Sequence, residues 1–203
     1  MAPPEEAGGG APLSPGEKAR LVPSLSTRGQ LDEVERLGIN AARVWAMRDP
    51  VLRRGDLLTE AFCRGLHRRM FGGVWRDAGK YRTAERDPGW EVKRIAEGVG
   101  MFLDDAEAWL RFGTYPVDEA AVRLHHRLVS IHPWANGNGR HARLIADIVV
   151  AAHGERPLTW GSGTGAGGRE SARTRYLAAT RAADSGDFGP LLGFARAGAG
   201  DAA

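Results

Sequence analysis

The segment Ile131-His132-Pro133-Trp134-Ala135-Asn136-Gly137-Asn138-Gly139-Arg140-His141-Ala142-Arg143 constrains this chain more than any other, because the apolar series Leu144, Ile145, Ile148, Val149 and Ala152 follows it at once. A Gly-Asn-Gly turn running into apolar residues at helical spacing specifies a tight loop that feeds the N-terminus of a buried helix. Such a terminus has unpaired backbone N–H groups and the positive end of the helix dipole, so it holds anions. Gly137 and Gly139 permit positive φ and close approach of the backbone to a phosphate. Arg140 and Arg143 lie near each other on the first turns and can fork phosphate oxygens. His132 stands just before the turn, within reach of a hydroxyl presented beside that phosphate. The residues alone describe a phosphate cradle with a base at its lip.

The rest of the chain supplies helices to support that loop. Leu31, Val34, Ala41 and Trp45 predict a helix over 27–48. Leu58, Phe62, Leu66 and Met70 predict a second, ended by Gly72 and Gly73. Residues 74–91 read as a loop or short hairpin, punctuated by Asp87-Pro88-Gly89. Ile95, Val99, Phe102, Ala106 and Trp109 mark a third helix, and Val117, Ala121, Leu124, Leu128 and Ile131 a fourth. A fifth covers 138–153, a Gly/Ser linker 161–168, a sixth helix 169–184 and a last one 188–196, with Pro190 in its first turn. The expected fold is all-α with one small β excursion. Residues 1–20, rich in Pro, Gly and Ala, read as disordered, 21–196 as the domain and 197–203 as a flexible tail.

Composition excludes several alternatives. A chain of 203 residues suffices for one domain with its own core, and no run of eighteen apolar residues is present to span a membrane. The N-terminus carries acids and prolines where a secretory signal has basic residues and an apolar stretch. The single cysteine, Cys63, reads as a small buried residue and fits a reducing cytosol, so a cytoplasmic location is expected. A net charge of +3, with acids interspersed among the arginines, does not predict nucleic-acid binding. Gly163-Thr164-Gly165-Ala166-Gly167-Gly168 fits a dinucleotide fingerprint in letters, but no βαβ pattern surrounds it. The histidines His125, His126, His132, His141 and His153 lack the spacing of a zinc site.

The segment around His132 resembles the Fic/Doc signature HxFx(D/E)GNGRxxR, matched by His132, Gly137, Asn138, Gly139, Arg140 and Arg143, with Trp134 as the aromatic anchor. The wider sequence, including LHRRMFGGVWRDAGKYR and RYLAATRAADSGDFGPLLGF, is similar to the subgroup called mobile mystery protein B, from about residue 21 to residue 194. The resemblance implies a Fic-like helical domain with a small β-hairpin flap beside the active-site loop. It implies transfer of AMP from ATP to a Ser, Thr or Tyr hydroxyl of a target protein. His132 would be the base, the backbone of Gly137, Asn138 and Gly139 the anion hole, Arg140 the contact to the phosphate chain and Arg143 to its distal end.

Asn136 stands where most adenylylating members carry the acid that ligates Mg²⁺; its amide oxygen would be the metal ligand, with less charge. By the same resemblance Tyr81, Arg82, Gly89 and Trp90 belong to a flap that docks the target, against the alternative of an ordinary surface loop. Tyr176 lines the nucleotide pocket or packs in the core. A neighbouring helix-turn-helix protein is implied as partner, and the competing functions are a toxin-like or accessory module that binds a nucleotide or partner without efficient transfer, or a Fic protein that uses another phosphate-containing substrate. The inhibitory (S/T)xxxE(G/N) motif has no strict match; Glu33 and Glu35 lie in the nearest region and are expected on a solvated surface.

Overall fold

The computed structural model describes residues 11–161 and 168–198, the side chains of 168–171 excepted. Its helices are α1 (Pro15–Arg20), α2 (Arg28–Ala46), α3 (Asp49–Leu52), α4 (Glu60–Phe71), α5 (Ile95–Phe112), α6 (Val117–Ile131), α7 (Asn138–Ala152), α8 (Gly168–Asp184) and α9 (Gly189–Arg196). The expected helices are present, and their ends have local causes. Thr27 and Gln30 form a capping box that starts α2, and Gly113 in the left-handed region ends α5. The stretch carrying the Gly-rich fingerprint, 163–167, lies outside the described residues.

Two expectations are corrected. Residues 14–20 are not without structure: Ser14 caps α1 in a reciprocal box with Glu17, and Arg20 at its end is fastened to Asp77. The flap is not a hairpin, since the described residues contain no β-strand and only two isolated bridges, Pro12 with Thr27 and Leu21 with Trp75. The physical reason is Arg82. Its guanidinium lies between the two legs of the segment and donates to the carbonyls of Ala84 and Trp90, which a facing strand would otherwise have bonded.

The core forms where α6 packs against both α7 and α5, and α2 against α4. Leu124, Leu128, Ile131, Ile145, Ile148, Leu66 and Met70 are fully buried there. α7 is therefore a central helix, and its N-terminus emerges at the loop 132–137. No helix of the described residues is long and apolar enough to cross a membrane. Cys63 is buried, and desolvation pushes its thiol up to about 12, so it offers no thiolate at neutral pH.

Candidate active site

α6 stops at His132, which takes the left-handed conformation (φ 55°, ψ 58°) as its C-cap. This conformation costs a non-glycine residue on the order of 1–3 kcal/mol and persists only where the surroundings impose it. Here they do. Arg82, 4% exposed, donates from Nε to the His132 carbonyl (2.7 Å) and from Nη2 to the Ile131 carbonyl (3.4 Å). The backbone N–H groups of Arg82 and Trp90 donate to the carbonyls of Pro133 (2.9 Å) and Ile131 (3.1 Å). The segment 82–90 is thus clipped along the turn that carries His132. Gly89 makes this approach possible: a Cβ there would come within 2.9 Å of Arg82 Nη2 and 3.3 Å of His132 Cβ. His132 itself is half-buried. Burial, then the Arg82 and Arg86 guanidiniums, hold its imidazole below the ordinary range, with a backbone bond at Val129 opposing them. A neutral ring results, ready to accept a proton.

The loop after it is locked from inside. Trp134 is fully buried, stacked on His67 (4.3 Å between centroids) and Tyr81 (5.2 Å). Asn138 bonds both sides of the Trp134 residue: its Oδ1 accepts from Trp134 N–H and its Nδ2 donates to the Trp134 carbonyl, each at 2.8 Å. Gly137 has φ 74°, and a Cβ on it would meet the Phe71 ring at 2.5 Å, so only glycine fits. Gly139 differs from expectation. It is helical, in the first turn of α7, and its use is bare space: a Cβ there would find only Arg143 Nη1, at 4.0 Å. No side chain caps α7, which leaves its first N–H groups open. Arg143 beside them is largely desolvated, which lowers its guanidinium below the usual range. It lies 5.7 Å over the Tyr176 ring and makes no ion pair among the described residues. It opens on a cavity of about 120 Å³ shared with Arg43, Arg140 and Asp147. Tyr176 serves both readings, bonding His125 Nε2 (3.1 Å) while backing Arg143.

Four long-range partners were not readable beforehand. Glu35 is buried, contrary to its expected solvation: Oε1 accepts from Trp75 Nε1 and Oε2 from Arg140 Nη1, both at 2.7 Å. It engages Arg140 and not Arg143, while Glu33 pairs with Arg36 on the surface as expected. His67 accepts the Gly79 N–H on Nδ1 (2.9 Å), so its Nε2 carries the proton and donates to the Asn136 carbonyl (3.1 Å). Asp147 is buried against Trp160 Nε1 (2.8 Å) and Arg43 (3.1 Å), its carboxyl raised to about 6 by desolvation. Arg20 reaches Asn136. With the amide nitrogen on the Ala135 carbonyl (2.9 Å), the Asn136 oxygen accepts from Arg20 Nη2 at 3.1 Å.

That contact does not fit a divalent cation at Asn136. The one oxygen proposed as ligand is neutral and faces a guanidinium, and the described residues contain no cluster of metal-binding side chains. The docking roles read for Tyr81 and Arg82 do not describe their side chains either. Tyr81 packs on Trp134 under Arg64, Arg82 is an internal strut, and Trp90 lies on Phe102 with its ring against Gly98. Sequence spacing held no signal for these pairings, because they join residues as far apart as Glu35 and Arg140.

The helical scaffold thus brings an uncapped helix terminus, the two arginines of its first turns and a neutral histidine to one place. Residues 57–150 match the Fic/DOC family. The chain is 27% identical over 165 residues to the protein adenylyltransferase Fic of Aedes aegypti, an alignment covering 79% of this chain and 31% of that protein. It is 31% identical over 132 residues to protein adenylyltransferase fic-1 of Caenorhabditis briggsae, covering 63% and 24%. The chain thus spans about a third or less of the length of these relatives. Among solved structures, Fic-1 of C. elegans superimposes with a TM-score of 0.63 at 24% identity, covering 82% of this chain and 48% of that one. The N-terminal FIC domain of Bep8 from Bartonella sp. 1-1C does so with 0.68 at 15% identity, covering 91% and 93%. These likenesses show the Fic fold.

Proposed function

We propose that this protein is an adenylyltransferase that moves AMP from ATP to a hydroxyl side chain of a target protein. The observation that carries the reading is Arg143: a largely buried guanidinium that forms no ion pair among the described residues, set beside the bare Gly139 and the uncapped start of α7. A desolvated cation without a close carboxylate among the described residues is costly unless a ligand supplies the opposite charge. The names of the curated relatives support the same reaction. In it, the target hydroxyl oxygen attacks the α-phosphorus of ATP and its proton passes to the neutral His132 ring. The new phosphorus–oxygen bond forms as the bond to the β-phosphate oxygen breaks, and pyrophosphate leaves. The α7 N–H groups and Arg143 stabilise the charge on the phosphoryl oxygens. The exposed residues 83–88 lie beside His132, where a target segment would pass.

The likeness to the mobile mystery protein B subgroup supports, within the same proposal, a cytoplasmic protein working beside a helix-turn-helix partner. A second reading, a nucleotide-binding module with little transfer, is favoured by one contact: Glu35 already occupies Arg140. The test is labelling of cell lysate with α-labelled ATP by the wild type and His132→Ala. Loss of a general base typically costs roughly 10²–10⁴-fold in rate. Equal labelling by the two proteins rejects the assignment of His132; nucleotide binding without labelling by either selects the second reading.

A further inference from the structure

Asn136 is engaged at its carbonyl and at both ends of its side-chain amide. Its carbonyl accepts from His67, its amide nitrogen donates to Ala135, and its amide oxygen accepts from Arg20. The Arg20 guanidinium is itself held in place. Nε and Nη2 donate to Asp77 Oδ2 at 3.1 and 2.6 Å, and the group lies 5.1 Å over the Trp75 ring. Its Nη1 has no partner among the described residues, and a third of the side chain is exposed. The same Trp75 donates to Glu35, which holds Arg140, so one indole connects Arg20, over its ring, with Arg140, through Glu35. The position where an acid and a divalent cation would otherwise stand therefore already carries a fixed positive charge.

We propose that Arg20 is the cation of this side of the site, and that the loop takes a nucleoside triphosphate without a divalent metal. This rests on the reading of the α7 terminus as a phosphate site. A planar guanidinium with a free nitrogen donates to phosphate oxygens and neutralises charge on them, as a metal held at residue 136 would. It also repels a second cation placed beside it, so metal-free ATP is the preferred ligand. An acid at 136 reverses this: it pairs with Arg20, spends its charge and repels the phosphates.

The experiment is calorimetric titration of ATP into the full chain, once in excess EDTA and once in excess Mg²⁺. Wild type is expected to bind in EDTA at least as tightly as in Mg²⁺. Arg20→Gln should weaken binding in EDTA by about tenfold or more, the loss of one charge-assisted hydrogen bond. Asn136→Asp should also weaken binding in EDTA, with Mg²⁺ restoring part of the loss. A general structural defect does not produce that ratio between the two conditions. Binding of wild type in Mg²⁺ but not in EDTA overturns the proposal and leaves the phosphate site standing; binding in neither overturns both. Unchanged affinity of Arg20→Gln in EDTA also overturns it. If Arg20→Gln melts before titration, Asn136→Asp decides: affinity in EDTA equal to wild type refutes the role of Arg20.

Discussion

Glu35→Gln tests whether the fold withholds Arg140 from the nucleotide. In the wild type one carboxylate serves two donors, Trp75 Nε1 and Arg140 Nη1, both at 2.7 Å. A glutamine has one amide oxygen. The Trp75 N–H, in buried surroundings, needs it, which turns the NH₂ group toward Arg140 and sets donor against donor. Arg140 is 38% exposed and can leave for solvent, so no buried charge is orphaned. The freed guanidinium then points its donors at phosphate. A charge-assisted hydrogen bond contributes about 1.5–3 kcal/mol. Screening at a group this exposed reduces the gain to roughly 1 kcal/mol, about fivefold in affinity. Calorimetry with ATP should show that gain, with circular dichroism confirming that α2 remains helical. An affinity equal to or weaker than wild type would refute the argument, because it would mean that Glu35 holds Arg140 in its binding position instead of competing for it.

Two further outcomes follow from the geometry. Arg143→Ala should weaken ATP binding roughly tenfold or more and AMP binding much less, since a charge-assisted bond to the distal phosphates is lost that AMP never makes; equal losses for both nucleotides remove Arg143 from that role. Stability should fall on acidification from pH 7 to pH 5. His67, His125 and His141 are buried and neutral, lowered to about 4, 3 and 3, so below about 6.5 the unfolded chain binds protons that the folded chain refuses. Each costs about 1.4 kcal/mol per pH unit until its folded value is reached. Asp147, raised to about 6, works the other way below that pH and offsets part of the loss. Urea midpoints that stay level over this range would contradict the neutral burial of these rings.

The reach of the sequence is clearest at α6 and α7. The expected fourth helix begins at Val117 and the fifth at Asn138, where the structure starts them, because apolar spacing and the Gly-Asn-Gly turn act over a few residues and need no partner. Gly137 was legible for the same reason: a positive φ is a local demand. The backbone of the proposed phosphate cradle could therefore be read from one contiguous stretch. Its charge could not. Whether Glu35 sits in solvent or beneath Arg140, whether Arg82 meets a target or clamps His132, and whether residue 136 faces a metal or Arg20 depend on residues brought together from α1, α2, α4 and the 79–91 segment. Hydrogen-bond and ion-pair energies fall steeply with distance and depend on burial, and both quantities exist only once the helices have packed. Sequence alone determined a helical domain with a Gly-Asn-Gly loop feeding a helix terminus and a histidine beside it; tertiary structure decided how Arg82, Arg140 and Arg143 are engaged among the described residues and that Arg20 stands at residue 136.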